Sequence, residues 1–506
     1  MRKLLTLFAA VAWMATFGAS WTGAQQGADQ SQPPAQSPDQ DQQKAADPGA
    51  SKAQEPIPAY RSPLAGAAGD EEDETTEIMP DDNALTGVRA LGLGLTREQS
   101  YWQSHAQIFE SADSNPGEST GHNSWGSWTS VSGGVDVHKT SQNNQLDVSY
   151  LGGGTFSSDS GSNSAAGANT GNGAVQELSF SEKVLFHRWA FSLIDALGYL
   201  PESASGFGGL GTSLPGGGLP GGGTFGPGQS LLVGRGQNLT NQLDAEADVF
   251  VTRRTSLTFV GGYANLNYFD SDLLNYGTAV ARVGYNYQLS RKNTIGLDYT
   301  FSDTDYSNFH QSIVNHTFQA VYGRRVTGQL AFQLGAGPQI AMFQVPITPA
   351  AGAGEGDIQS ATSVLWSLSA SLKYARKRTS YSLSYDHGVS GGGGVLAGSE
   401  GDTVAGSITR QMTRQFSSGV TGGYSRTRGL AVLNTTAPGS SQTYDYWYGG
   451  VNLTYPLGRT VALSVTYQVQ YQNSGTAFCI GTQCSTDVLR NMISVGLDWR
   501  DRQRRF

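Results

Sequence analysis

Residues 460 to 471 alternate strictly between apolar and small polar side chains. The even positions hold Thr, Ala, Ser or Gln, and the odd positions hold Val461, Leu463, Val465, Tyr467, Val469 and Tyr471. Successive side chains of a β-strand point to opposite faces, so this segment has one apolar face and one polar face. The pattern predicts a strand whose two faces meet different solvents.

The same alternation recurs through the C-terminal four hundred residues, clearly at 295–302, 363–374 and 381–386 and poorly at 404–410. Short connections with bases or amides alternate with long polar or Gly-rich ones, a rhythm typical of outer-membrane barrels whose short turns are periplasmic. We expect short turns at 141–144, 181–184, 253–255, 290–293, 324–328, 376–379, 412–415 and 456–459. The long connections are predicted at 111–126, 157–173, 200–237, 267–276, 305–312, 346–361, 388–402, 428–442 and 473–487.

Counting the strands between these connections, including a weak first one at 101–110, gives about eighteen, with sixteen as the alternative. The predicted fold class is all-β, a transmembrane antiparallel β-barrel over residues 97–506. A secreted soluble β-sandwich or solenoid is the competing interpretation, because it would alternate as well.

The N-terminal residues predict export. Arg2 and Lys3 precede an apolar run from Leu4 to Phe17, and small residues at 22–24 offer a cleavage site, so residues 1–24 are predicted to be a signal peptide. No later segment has the roughly eighteen consecutive apolar residues that a spanning helix needs.

Residues 25–96 are rich in Gln, Pro and Ala and are predicted to form a disordered periplasmic arm. Its alternative role is a docking tail for a periplasmic partner or the cell wall. Eight acids and no base lie between Asp70 and Asp82, and removing them from the net charge of −9 leaves −1 for the rest. No basic patch indicates nucleic-acid binding.

Composition agrees with a barrel. The 67 glycines, 14% charged residues and mean hydropathy of −0.32 are unusual for a globular protein. A membrane barrel needs apolar side chains only at alternate positions, which keeps its mean hydropathy low.

Over residues 100–506 the chain resembles the porin-like outer-membrane β-barrel proteins of Gram-negative bacteria, which commonly end in Phe, as this chain does at Phe506. Phe506 is out of phase with the apolar positions Ile493 to Trp499, so we expect either a bulge or an earlier strand end with a basic tail. The resemblance implies an outer-membrane channel for small hydrophilic solutes, inserted in lipid by the barrel assembly machinery and compatible with a homo-oligomer. It implies no catalytic residue, metal or cofactor.

Charged residues on the polar faces of predicted strands are candidates for lining the pore, where they would set ion selectivity. The alternative is ordinary solvation of the lumen or a rim position. The candidates are Asp244, Glu246, Asp248, Arg282, Asp298, Lys373 and Asp386.

Two motifs suggest other functions weakly. Residues 206–211 match a dinucleotide fingerprint and 117–121 a nucleophile elbow with Ser119 beside His122, but both motifs need a helix that this pattern does not predict. The seven histidines are interpreted as isolated polar residues, and the Gly-rich connection at 206–236 as a loop that could fold into the pore. Alternative functions are a non-conducting adhesin, a surface scaffold, an export conduit or, less favoured, an outer-membrane hydrolase.

Cys479 and Cys484 are the two cysteines of the chain. Four intervening residues and an exported context favour a disulfide that staples the last long connection. The expected role is structural.

Overall fold

The fold was examined in a computed structural model of the chain. It describes residues 100–114, 125–141, 143–157, 172–202, 235–269, 275–306, 311–346, 358–393, 396–413, 415–429, 443–480 and 483–505. These residues form strands and turns, and none of them belongs to a helix that could cross a membrane.

Eighteen strands of 13 to 20 residues follow one another along the chain, and a two-residue strand, β19, ends it. They are β1 Tyr101–Asp113, β2 Gly126–Thr140, β3 Asn144–Ser157, β4 Gly173–Leu185, β5 Trp189–Glu202, β6 Arg235–Thr252, β7 Thr255–Tyr268, β8 Tyr276–Ser290, β9 Asn293–Tyr306, β10 Gln311–Arg325, β11 Leu330–Pro346, β12 Ile358–Arg376, β13 Thr379–Gly393, β14 Leu396–Thr413, β15 Phe416–Gly429, β16 Thr443–Pro456, β17 Val461–Ile480, β18 Gln483–Arg500 and β19 Arg504–Arg505.

Each strand pairs antiparallel with the next, and β18 pairs with β1, so the sheet closes into a barrel of eighteen strands. The strand number of eighteen is confirmed over sixteen, and the weak first strand exists. A single closed sheet is neither a sandwich nor a solenoid, so the soluble alternative is wrong about the architecture.

The seam between β1 and β18 closes the barrel. Backbone pairing runs from His105 opposite Arg500 to Asp113 opposite Met492. On the inner face Arg490 Nε donates to Asp113 Oδ2 at 2.6 Å, and both side chains are almost fully buried, with 2% and 0% exposed. Because a buried ion pair needs good geometry to offset its desolvation, this contact fixes the register of the seam.

The C-terminal strand contains the bulge that the phase of Phe506 requires. His105 pairs with Arg500, but Trp102 pairs with Arg504, so the last strand has one extra residue in this interval. Because of the extra residue, even-numbered positions point inward before it and outward after it. The Arg504 guanidinium therefore lies on the outer face, 4.9 Å from the Trp102 ring centroid. Phe506 itself lies outside the described residues.

The two faces of the wall differ in chemistry. On β17 the even-numbered Ala462, Ser464 and Thr466 are buried on the inner face, while Tyr467 is exposed on the outer face. The other exposed large hydrophobic residues include Leu297, Val364 and Trp447 on other strands. The predicted facing of β17 is therefore confirmed.

Most predicted turns are found, with two kinds of correction. Residues 181–184, predicted as a turn, lie inside β4, and the chain reverses at 186–188 instead. The stretches 388–402 and 473–487, predicted as loops, are largely extensions of the β13–β14 and β17–β18 hairpins. Strand pairing continues there because the Gly- and Ser-rich backbone can still form ladder hydrogen bonds.

Residues 1–24 and 25–96 lie outside the described residues, so the signal peptide and the arm stay predictions. Cys479 and Cys484 are directly opposite each other in the β17–β18 register. Their side chains are also outside the description, and the disulfide stays a prediction.

We expect arginine at Val420 to impair membrane insertion and arginine at Thr421 to be tolerated. Val420 is exposed on the outer face of β15 and Thr421 is exposed on its inner face. A base on a lipid face costs about 2–4 kcal/mol near the bilayer midplane. The folded fraction after refolding into liposomes, read from heat-modifiable gel mobility, checks this. Equal folding of both variants would contradict the assigned faces.

Candidate pore and its constriction

The barrel interior contains a charged wall on β6 to β9. Thr258 Oγ1 donates to Asp248 Oδ1 at 2.6 Å, and Arg282 Nε donates to Asp298 Oδ1 at 2.6 Å. All four side chains are buried. The structure thus places three of the predicted pore-lining residues in two buried hydrogen-bonded pairs, Asp248 with Thr258 and Arg282 with Asp298.

Asp244 and Glu246 lie on the same inner face of β6. Gln242 Nε2 donates to Asp244 Oδ2 at 2.7 Å. Within the part of the chain that the structure describes, Asp244 Oδ1 and Glu246 Oε2 are buried and accept no hydrogen bond. Because burying a carboxyl oxygen without a hydrogen-bond donor is costly, these two groups are the incompletely bonded part of the wall.

Lys373 and Asp386 lie apart from this wall, on the paired strands β12 and β13. Both are exposed, although register places both on the inner face. Thr421 on β15 is also exposed inside the barrel. The wall from β12 to β15 therefore borders the solvent-accessible part of the interior.

A second polar network lies near the seam, and the sequence did not indicate it. His105 Nδ1 is 3.2 Å from Asp136 Oδ2, and His138 Nδ1 is 2.5 Å from Asp147 Oδ1. His138 is hydrogen-bonded to Asp147 on the neighbouring strand, and His105 lies within ion-pair distance of Asp136, so the interpretation of these two histidines as isolated residues is wrong. The partners are separated along the chain and meet only through strand register.

The β13–β14 hairpin leaves the barrel wall. β13 pairs with β12 only from Thr379 to His387, yet it pairs with β14 up to Gly393 opposite Leu396. We call residues 388–401 the inner hairpin; residues 394 and 395 are outside the described part. At the point of departure the His387 ring stacks on Trp366 at 3.9 Å, and its Nδ1 is 2.9 Å from Asp402 Oδ1.

Side chains of the facing wall hold the inner hairpin. The Gln339 amide on β11 spans the backbone of Val389, accepting from its N–H at 2.8 Å and donating to its carbonyl at 3.3 Å. Tyr306 on β9 accepts a hydrogen bond from the Gly398 N–H at 3.0 Å. Gly398 has a φ of 77°, a conformation that side chains other than glycine rarely adopt. These bonds replace the ladder that the hairpin lost when it left β12.

An apolar patch on the inner face explains where the hairpin goes. Val389 packs in a buried cluster with inward residues of β7 to β11, in the half of the barrel near the long connections. Apolar side chains are unexpected on the inner, water-facing side of a barrel wall. Here they are buried because Val389 of the inner hairpin packs against them. The cluster consists of Leu266, Tyr268, Tyr276, Tyr306, Ile313, Ala341, Phe343 and Val389.

The inner hairpin therefore narrows the interior. The sequence had suggested residues 206–236 for this role, and most of that segment is outside the described residues. The missed signal was the apolar inward positions of β7 to β11, such as Ile313 and Phe343, which break the polar inner pattern.

The residues of the predicted nucleophile-elbow motif, Ser119 and His122, are outside the described residues. Among the residues that the structure describes, no group of three or more His, Cys, Asp or Glu could hold a metal.

The sequence matches no protein-family model and no curated protein. Solved structures align over most of this chain at low sequence identity and low TM-score. The outer membrane protein OpdK from Pseudomonas aeruginosa is 11% identical with a TM-score of 0.38, covering 79% of this chain and 99% of that chain. OccAB2 from Acinetobacter baumannii is 9% identical with a TM-score of 0.39, covering 80% and 98%. The fold assignment rests on the strand pairing.

We expect Gln339→Ala to loosen the inner hairpin. Removing two hydrogen bonds of about 1 kcal/mol each should accelerate amide exchange at 388–393 by roughly 10- to 30-fold. Hydrogen-exchange mass spectrometry of the detergent-solubilised barrel measures this. Gln319→Ala is the matched control, because Gln319 bonds Ser367 at 2.7 Å rather than the hairpin. Equal protection in both variants would show that Gln339 does not hold the hairpin.

Proposed function

We propose that this protein is a porin-like channel of the outer membrane that passes small hydrophilic solutes. The observation that carries the proposal is the closed eighteen-stranded sheet with an apolar outer face and a polar inner face. Such a surface is stable in lipid, where every backbone polar group must be bonded within the protein. The polar interior is then the route for water-soluble molecules.

The dimensions support passage. Eighteen strands about 4.8 Å apart and tilted by roughly 40° enclose a backbone cylinder about 35 Å across, wide enough for an aqueous lumen. The inner hairpin occupies part of this width on the side of β7 to β11. The path that we propose runs past it along β12 to β15, where Lys373, Asp386 and Thr421 are exposed.

The pore-lining role divides the seven candidate residues into three groups. Lys373 and Asp386 would meet the solute directly and act as opposing selectivity charges. Asp244 and Glu246 would present to the interior carboxyl oxygens that accept no hydrogen bond from the described residues. Asp248, bonded to Thr258, and the Arg282–Asp298 pair would mainly hold the wall.

A non-conducting barrel, whose exposed loops would serve adhesion, scaffolding or export, is the alternative that the same fold allows. No described residue favours it or a hydrolase over a channel. Insertion by the barrel assembly machinery, homo-oligomer formation and a periplasmic position of residues 25–96 remain part of the proposal. Conductance separates the channel from both alternatives.

We expect stepwise conductance when the purified protein enters a planar bilayer, and opposite selectivity changes in two variants. Lys373→Gln should raise the cation-to-anion permeability ratio about fourfold and Asp386→Asn should lower it about fourfold, because the removed charge acts with opposite sign on cations and anions. A charge about 10 Å from the ion in water contributes roughly 0.4 kcal/mol. Reversal potentials in a tenfold KCl gradient at low ionic strength, where screening is weak, measure the ratio.

Folded protein without conductance steps would contradict the channel. Steps whose selectivity changes in the same direction in both variants would leave the channel in place but refute the path along β12 and β13.

A further inference from the structure

The short-turn end of the barrel carries an unusual concentration of positive charge. Bases occupy or flank seven of its eight short turns, and their side chains are exposed. We call this set the basic collar: Arg188, Arg253, Arg254, Arg291, Lys292, Arg324, Arg376, Lys377, Arg378, Arg410 and Arg459. Arg502, Arg504 and Arg505 add positive charge at the same end.

The collar has no acidic counterpart of its own. None of the short turns contains Asp or Glu. Two carboxylates at this end of the barrel already have partners: Glu182 accepts from Asn144 at 2.9 Å, and Asp501 lies 3.2 Å from Arg504. Among the described residues, no collar base forms an ion pair. So many like charges repel one another unless an anionic partner covers them.

The chain itself contains a matching anion. Residues 70–82 hold eight acids and no base, and the barrel begins at Tyr101, on the end where the collar lies. Eighteen residues separate Asp82 from Tyr101. Extended, they span about 60 Å, and as a flexible coil about 25 Å, compared with a barrel width of about 35 Å. The acidic run therefore reaches every turn of the collar.

We propose that the acidic segment 70–82 docks on the basic collar at the short-turn mouth of the barrel. Tethering raises the local concentration of the segment to the millimolar range, so even weak ion pairs keep it bound. The segment carries eight acids, and the described residues present no other basic surface of comparable charge. We therefore assign the collar as its binding surface. Because the attraction is between solvent-exposed charges, docking weakens as the salt concentration rises.

The full-length protein in nanodiscs of zwitterionic lipid tests this. A photo-crosslinking amino acid replaces Thr75, between the acids of the segment, and mass spectrometry locates the crosslinked peptides. We expect crosslinks to peptides that contain the collar at about 50 mM salt, and at least a tenfold lower yield at 1 M salt, where the Debye length falls to about 3 Å. The readout does not require conduction, so it stands or fails independently of the proposed channel.

Charge reversal sharpens the test. The collar variant carries Arg253→Glu, Arg254→Glu, Lys377→Glu and Arg378→Glu, and should lose at least ten-fold in crosslink yield. The control carries Arg426→Glu and Arg428→Glu at the opposite end of the barrel, and should stay within about twofold of the parent. Heat-modifiable gel mobility confirms that both variants are folded.

Reversing four acids of the segment, Glu71, Glu72, Glu74 and Glu77, to Lys in the collar variant should restore crosslinking. Crosslinks that are unchanged in the collar variant would overturn the proposal. Crosslinks to lipid alone, or collar crosslinks insensitive to salt, would overturn it as well and would point to membrane headgroups as the ligand of the collar.

Discussion

The pairing of β1 with β18 is the constraint on which the rest of the structure depends. An open sheet would leave two rows of unpaired backbone groups, which hydrocarbon does not tolerate. The nine residue pairs of this seam remove both edges, and the buried Asp113–Arg490 contact holds their register. Once the sheet is closed, strand geometry alone sends alternate side chains outward and inward. The apolar outer face and the polar interior are consequences of that closure.

Closure also explains the inner hairpin. When β13 separates from β12 after His387, its backbone groups need new partners. Gln339 supplies a donor and an acceptor for Val389, and Tyr306 accepts from Gly398. The hairpin could turn inward only because β7 to β11 present apolar side chains there, and burial of these against Val389 compensates for leaving the wall. The same contacts leave the opposite side of the interior accessible to solvent.

The strand number, the facing of β17 and most turns could be predicted from the sequence, because a period of two and short basic turns are local signals. Contacts set by register could not. Arg490 with Asp113 joins the last long strand to the first, and no local pattern sets the register of that seam. The inner hairpin was missed because its Gly-rich sequence resembles a loop. Ile313 and Phe343 are apolar residues on an otherwise polar inner face, and they were the sequence signal that indicated the inner hairpin.

The most direct test of the account is a spin-label scan of residues 418–424 on β15 in liposomes, with Cys479 and Cys484 replaced by serine. Oxygen, which concentrates in lipid, should be most accessible at even positions, and a water-soluble nickel chelate at odd positions. The two profiles should oscillate with a period of two residues and in opposite phase. Profiles that rise and fall together, or that show no alternation, would contradict a wall with lipid on one side and water on the other.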